Sequence, residues 1–295
     1  MSSTSSKRSA SAFKMSQPDL LELRTRGRWP PPDGPRVAIV GSRRPSPYGE
    51  AVAEQLAADL ARAGVIVVSG LALGIDAAAH RGALVGGGVT VAVMGTGVDI
   101  VYPAAHGKLA EEIVAAGGAL VSQFPDGTAP RRHNFPARNW TMATLSDAVV
   151  VVEAAEGSGA LITAEAALDL NKEVLAVPGS VFSPLSVGTH QLIRDGAQLV
   201  QNARDVLATL GVVQEVLDDP LAPPKNLGID APPGHDGILA HLSDVLALSA
   251  AEIARKLQLP VPEVLVRLTA LELDGAVRRH HDGYVRALRR SPKRA

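Results

Sequence analysis

The residues best suited to chemistry in this 295-residue chain sit in four glycine-bearing turns. The first is Gly41-Ser42-Arg43 within VAIVGSRRPSPYGE (37–50), where four apolar residues stop at a glycine and a helix-like stretch follows two prolines. The second, SGLALGIDAAAH (69–80), sets Ser69, Gly70 and Gly74 just ahead of an alanine-rich helix. MGTGVDIVYP (94–103) and EGSGALITAE (156–165) are the other two. Glycine lets backbone N–H groups come close to an anion, and a helix N-terminus adds a favourable dipole. Each turn follows a predicted strand, and ligands of open α/β sheets sit at the carboxyl ends of the strands. Four such turns on one edge describe an anion-lined trough better than a single phosphate hole. The phosphate to be held is a nucleotide's, a dinucleotide cofactor's or that of a nucleic-acid backbone.

The cofactor version fits poorly. The first turn lacks G-x-G-x-x-G, and the second strand ends in Ser69-Gly70 where a ribose-binding acid is expected. No G-x-x-x-x-G-K-[ST] occurs, which argues against a P-loop ATPase. Asp76 and His80, four apart on a predicted helix, share a face. They form a metal or acid–base pair, or more simply an Asp–His contact bracing the glycine turn, as no third ligand is evident. RRHNFPARN (131–139) gathers three arginines and a histidine beside Phe135, and reads as a solvated loop or a phosphate contact. Ser158 does not sit in the G-x-S-x-G of a nucleophile elbow. Glu153 at a strand end is a general base, or a brace for the next loop. We expect no catalytic residue, no metal and no cofactor.

The elements that must position these residues alternate regularly. Strand-like segments at 36–40, 65–69, 89–94, 119–122, 147–153, 173–177 and 198–200 interleave with helical ones at 49–63, 74–85, 106–116, 161–170 and 188–195. The strands are short, continuous and β-branched, which suits a parallel sheet covered on both faces. The pattern predicts a doubly wound α/β domain. Hydrophobic content of 46% supports a core, and 3% aromatics make it an aliphatic one. The absence of cysteine excludes disulfides and thiolate sites, in keeping with a reducing cytoplasm. A net charge of −1 means that any nucleic-acid contact must come from local basic patches. No apolar run approaches the ~18 residues of a membrane span.

The expected domains are an extended or disordered tail (1–35, Ser-rich at its start and faintly like a transit peptide), the α/β domain (36–212), a Pro/Gly-rich linker (213–235), a small C-terminal domain (236–290) and a basic tail (291–295). In the small domain, Ser249 and Glu252 form a capping box opening one helix. QLPVP turns into a second helix striped by Val264, Leu265, Leu268, Leu271 and Leu273. Gly275 ends it, and two short strands flank Asp282-Gly283. Helix, turn, helix, hairpin is a winged helix. Its second helix opens with Pro262, Glu263 and Val264 rather than Arg, Asn or Gln, so sequence-specific groove reading is not expected.

AIVGSRRPSPYG, SGLALGIDAAAH, MGTGVDIVYP, FPARN, GALITAEAAL, AVPG and GTHQLIRDGA occur in order over 36–210. Together they resemble the DNA-processing protein A (DprA/Smf) family. The resemblance implies a Rossmann-like domain, with the winged helix that many members carry, that binds single-stranded DNA. It further implies a homodimer that protects incoming strands and helps load RecA recombinase in natural transformation, without enzymatic activity. Carried onto this chain, Gly41, Ser42 and Arg43 would bind phosphate. Ser69, Gly70, Gly74 and Asp76 would line or brace a base-holding pocket, and Arg138 and Asn139 would complete a basic edge. Two departures stand out. Trp140 follows Asn139 where the family usually has a basic residue, and is a stacking platform or core. Lys108 is the expected substitute for a polar contact after Tyr102-Pro103. With nine aromatics in the chain, stacking should be scarce and affinity should rest on charge. The rivals are a nucleoside-monophosphate phosphoribohydrolase, whose P-G-G-x-G-T-x-x-E is echoed imperfectly by GSGALITAE, a nucleotide sensor, and a winged-helix regulator.

Overall fold

The computed structural model describes residues 23–212, 236–243, 247–280 and 283–287. In chain order the first part runs β1 (Arg24–Gly27), β2 (Arg36–Val40), α1 (Pro47–Arg62), β3 (Ile66–Ser69), α2 (Ile75–Val85), β4 (Thr90–Val93), α3 (Gly107–Ala115) and β5 (Ala119–Ser122). It continues with α4 (Asn134–Leu145), β6 (Ala148–Val151), α5 (Gly159–Asp169), β7 (Glu173–Ala176), α6 (Val187–Arg194), β8 (Gln198–Leu199) and α7 (Ala203–Thr209). The strands form one eight-stranded sheet, ordered β1-β5-β4-β3-β2-β6-β7-β8. All neighbours are parallel except β1, which pairs antiparallel with β5.

Burial on both faces explains the continuous apolar strands. Val37 and Ile39 face a core built with α1, α2 and α7, while Ala38 and Val40 face one built with α4 and α5. α3 covers β4 and β5 on the α2 side through Leu109, Ala110 and Ile113. Successive parallel strands lead outward from β2 to β5, after which the chain returns to lay β6 against the other side of β2. The topological switch point therefore lies between β2 and β6, the crevice where open α/β sheets ordinarily take their ligand.

Two expectations are corrected. The first 35 residues are not wholly a tail, since Arg24–Gly27 completes the sheet and Arg26 pairs with Glu111 on α3 at 2.6 Å. RRHNFPARN is not a loop throughout, because α4 begins at Asn134. Pro136 is compatible with this because it falls in the first turn, where its missing N–H costs no intrahelical bond. Residues 1–22, the linker 213–235, the tail 291–295 and Asp282 lie outside the described residues.

The C-terminal part comprises α8 (Asp236–Leu239), α9 (Ala250–Leu257), α10 (Val261–Leu273) and the antiparallel pair β9 (Val277–His280) and β10 (Gly283–Arg286). The Ser249–Glu252 capping box forms at the start of α9. Ile253, Leu268, Val277 and Tyr284 belong to a hydrophobic cluster of its own. Helices followed by a two-stranded wing match the expected winged helix.

Candidate nucleic-acid interface

A cleft of about 70 Å³ opens at the carboxyl ends of β3 and β4, beside the switch point. Arg43 from the first turn, Gly70, Ala72 and Leu73 from the second, and Gly95, Tyr102 and Pro103 from the third all line it. α4 closes it with Phe135 and Arg138, three residues apart and so on one helix face. Clefts that enclose a whole drug-sized ligand measure roughly 300–1,000 Å³. This one is smaller even than the ~150 Å³ that encloses a benzene ring, so it can take the edge of a base at its mouth but does not enclose one.

Arg138 forms the floor. It is 3% exposed. Its Nη1 donates to the Val93 carbonyl at 3.3 Å and lies 3.8 Å from Asp76 Oδ2, while its Nε has no protein partner. Gly70 is a glycine because a Cβ there would collide with the Arg138 guanidinium. Burial pushes the Asp76 carboxyl up from its ordinary pKa, and Arg138, the Ala72 amide, Arg43 and the Gly70 amide pull it back. Asp76 thus braces both the arginine and the turn. Gly74 begins α2 at φ +80°, where a Cβ would also crowd Pro45 at 2.7 Å.

The rim is aromatic and cationic. The Arg43 guanidinium stands 5.6 Å from the centre of the Phe135 ring, within cation–π range. Tyr102 meets Phe135 at 5.8 Å and is half exposed. Gly95 admits the Phe135 ring, whose Cδ1 would lie 2.8 Å from an added Cβ. Arg44, Arg131, Arg132 and His133 are exposed. Among the described residues, the side chains of Arg44, Arg131 and Arg132 have no ion-pair partner.

The expected site residues thus divide. Arg43, Gly70 and Arg138 line the cleft, with Asp76 and Gly74 directly behind it. Ser69 is fully buried and its hydroxyl donates to the Ile39 carbonyl, tying β3 to β2. The Ser42 amide is spent on the Glu153 carbonyl at 2.7 Å, and a Cβ on Gly41 would crowd Ile75, so the two shape the turn. Asn139 does not join the cleft, because its amide donates to the Gly159 carbonyl and ties α4 to the start of α5. Lys108 does not either. It is exposed on α3, 3.6 Å from Glu112. The fourth glycine turn likewise serves α5, with Ser158 as its N-cap. Asp76 and His80 do not bond each other, since His80 Nδ1 meets Thr90 Oγ1 at 2.7 Å. Trp140 is half-buried against the α4–α5 core rather than a platform. Tyr102 and Phe135 were missed. The scarcity of aromatics hid that two of them meet at one point, although both lie inside the motifs quoted above. No group of three or more His, Asp or Glu among the described residues is placed to hold a metal, and no described helix is long and apolar enough to cross a membrane.

Fold and site together define a doubly wound α/β domain with a winged helix appended, carrying a small cationic and aromatic cleft at its strand ends. The chain belongs to the DNA recombination-mediator protein A family, whose model matches residues 9–211, and a DprA winged helix domain model matches 222–283. It is 40% identical to the Smf protein of Escherichia coli over 260 residues, which are 86% of this chain and 68% of that one. A putative DNA processing protein DprA of Mycobacterium tuberculosis is 47% identical over 193 residues, 65% of this chain and 49% of that protein. The chain therefore spans about two thirds of one relative and half of the other. Among solved structures, DNA processing protein A of Helicobacter pylori, described for its single-stranded DNA binding mode, aligns with a TM-score of 0.58 at 33% identity. That alignment covers 64% of this chain and 86% of that one.

Proposed function

We propose that this protein binds single-stranded DNA without sequence-specific reading, and that it acts by binding rather than by catalysis. The observation that carries this is the convergence of Arg43, Phe135, Tyr102 and Arg138 on one small cleft at the strand ends. In this reading the edge of a base enters the mouth of the cleft, with Phe135 and Tyr102 offering the π-faces on which any base can stack. Arg43 lines it, and the exposed Arg44, Arg131 and Arg132, next in sequence to the first turn and to the start of α4, are assigned to phosphates, which position a strand without specifying its sequence. The single-stranded DNA binding described for the Helicobacter pylori relative supports the assignment. Two groups weighed for catalysis have structural partners, with Glu153 bonded to Ser46 and Ser158 capping α5. By family relation we assign the protein to the cytoplasm as a homodimer that protects incoming strands and loads RecA recombinase during transformation.

Salt titrations of binding to fluorescent poly-dT test the site. Arg43→Ala should weaken binding and flatten the slope of log K against log salt by about 0.7, one phosphate's share on a single strand. Phe135→Ala should leave the slope unchanged while costing ~1–3 kcal/mol, the worth of a stacked base. Binding indifferent to both variants would refute the assignment and point to small nucleotides instead.

A further inference from the structure

The crevice between β2 and β6, where an α/β sheet of this topology ordinarily holds a ligand's phosphate against a helix N-terminus, is filled from within the chain. Glu153, 3% exposed just beyond β6, occupies it. Its carboxylate accepts from the Ser46 amide at 2.9 Å through Oε2 and from the Ser46 hydroxyl at 2.5 Å through Oε1. The Ser46 hydroxyl in turn accepts from the Gly49 amide at 3.1 Å, capping α1. Gly49 must be a glycine, because a Cβ there would overlap the Glu153 carboxyl group. The same residue holds the other end of the turn, since its backbone carbonyl accepts from the Ser42 amide at 2.7 Å. Glu153 therefore clamps residues 42 and 46, and the segment strung between them carries the exposed Arg43 and Arg44.

We infer that Glu153 is a positioning residue for DNA binding: its carboxylate takes the place of a ligand phosphate at the start of α1, closes this crevice to nucleotides, and holds the Arg43–Arg44 segment beside the cleft. The inference rests on the reading that Arg43 contacts DNA. A pre-ordered segment loses little backbone freedom when a strand arrives, whereas an unclamped one must be ordered at the expense of affinity. The clamp also accounts for the chain's departure from nucleotide-binding turns. At the start of α1 the Ser46 amide and hydroxyl are already bonded to the carboxylate, and the Gly49 amide to the Ser46 hydroxyl.

The experiment is a double-mutant cycle on poly-dT binding with wild type, Arg43→Ala, Glu153→Gln and the pair, below the unfolding transition of every variant. Glu153→Gln keeps the side chain's shape but leaves only one acceptor oxygen. It should weaken binding by about tenfold, the lower end of the scale of one charged hydrogen bond. The double variant should lose clearly less than the sum of the two single losses, because with Arg43 gone only Arg44 is left for the clamp to position. Ser46→Ala, which removes the hydroxyl donor from the opposite side, should give a similar loss that is not additive with Glu153→Gln. It serves as the test if the Gln variant fails to fold. A merely structural role would lower the unfolding temperature and leave the affinity of the folded protein intact, and that result overturns the inference. Losses that simply add with Arg43→Ala overturn it too. An Arg43→Ala protein that binds like the wild type overturns the reading that Arg43 contacts DNA, and the inference with it.

Discussion

His80 illustrates how much a single enclosed side chain commits. It is fully buried, and the Thr90 hydroxyl that meets its Nδ1 already donates to the Val67 carbonyl at 2.8 Å. Nδ1 must therefore carry the proton, which leaves Nε2 bare and without a partner. Protonating Nε2 would bury an uncompensated charge. Burial, reinforced by the nearby His106, Arg138 and Arg81 charges, pulls the imidazole pKa down from 6.5 to about 3. Between those values the unfolded chain binds a proton that the folded one refuses, so stability is intact above pH ~6.5 and falls as the pH drops, by up to ~1.4 kcal/mol per pH unit. Asp76 works in the opposite direction, because its raised pKa lets the folded state take up a proton early. His80→Gln isolates the histidine. Denaturant unfolding followed from pH 7 to pH 4 should show a flatter acid limb for the variant, whereas parallel limbs would assign the proton uptake to another group.

Among the elements, α4 decides the site. It presents Phe135 and Arg138 to the cleft and is pinned at both ends. At its start the Asn134 amide donates to the Gly95 carbonyl at 2.9 Å. At its end Lys172, reaching from the turn before β7, donates to the carbonyls of Ala143, Thr144 and Ser146 at 2.8, 2.6 and 2.5 Å. A cation there satisfies orphan carbonyls and complements the helix dipole. Burial pulls the Lys172 pKa down, with Asp147 opposing. Lys172→Met keeps the apolar stem and removes those bonds, and should cost about 1–3 kcal/mol of stability, read from thermal unfolding. Poly-dT affinity should fall less than for Arg43→Ala, because Asn134 still anchors the end of α4 that carries the site.

For the molecule as a whole, the C-terminal domain has its own cluster, separate from those flanking the large sheet. Leu268 is fully buried in that small core. Leu268→Ala should cost ~2–5 kcal/mol there, enough to melt a small domain, while leaving the α/β domain folded. The two tryptophans, Trp29 and Trp140, both pack against the α4–α5 side of the large sheet and report on it alone. The variant's tryptophan fluorescence should keep its wild-type denaturant midpoint while circular dichroism gains an earlier transition. A shifted fluorescence midpoint would mean that the two domains unfold as one. Leu265 and Val266 on α10 are exposed, so Leu265 does not share the buried stripe of Val264, Leu268 and Leu271.

By itself the sequence determined the alternation of strands and helices, the winged helix and three of the turns that meet at the cleft. Continuous β-branched runs, caps and glycines are local signals, and local sterics produce them. It left α4 and β1 unread, since a helix opening Asn-Phe-Pro and a four-residue edge strand are stabilised by partners distant in the chain, Gly95 and Lys172 for one and β5 for the other. The tertiary structure alone decided which polar groups remained free to bind. Ser69, Asn139 and Glu153 looked as available as Arg43, yet each is spent on a backbone or side-chain partner from another element. A buried polar group must be satisfied, and which partner satisfies it depends on what packing brings within hydrogen-bond reach.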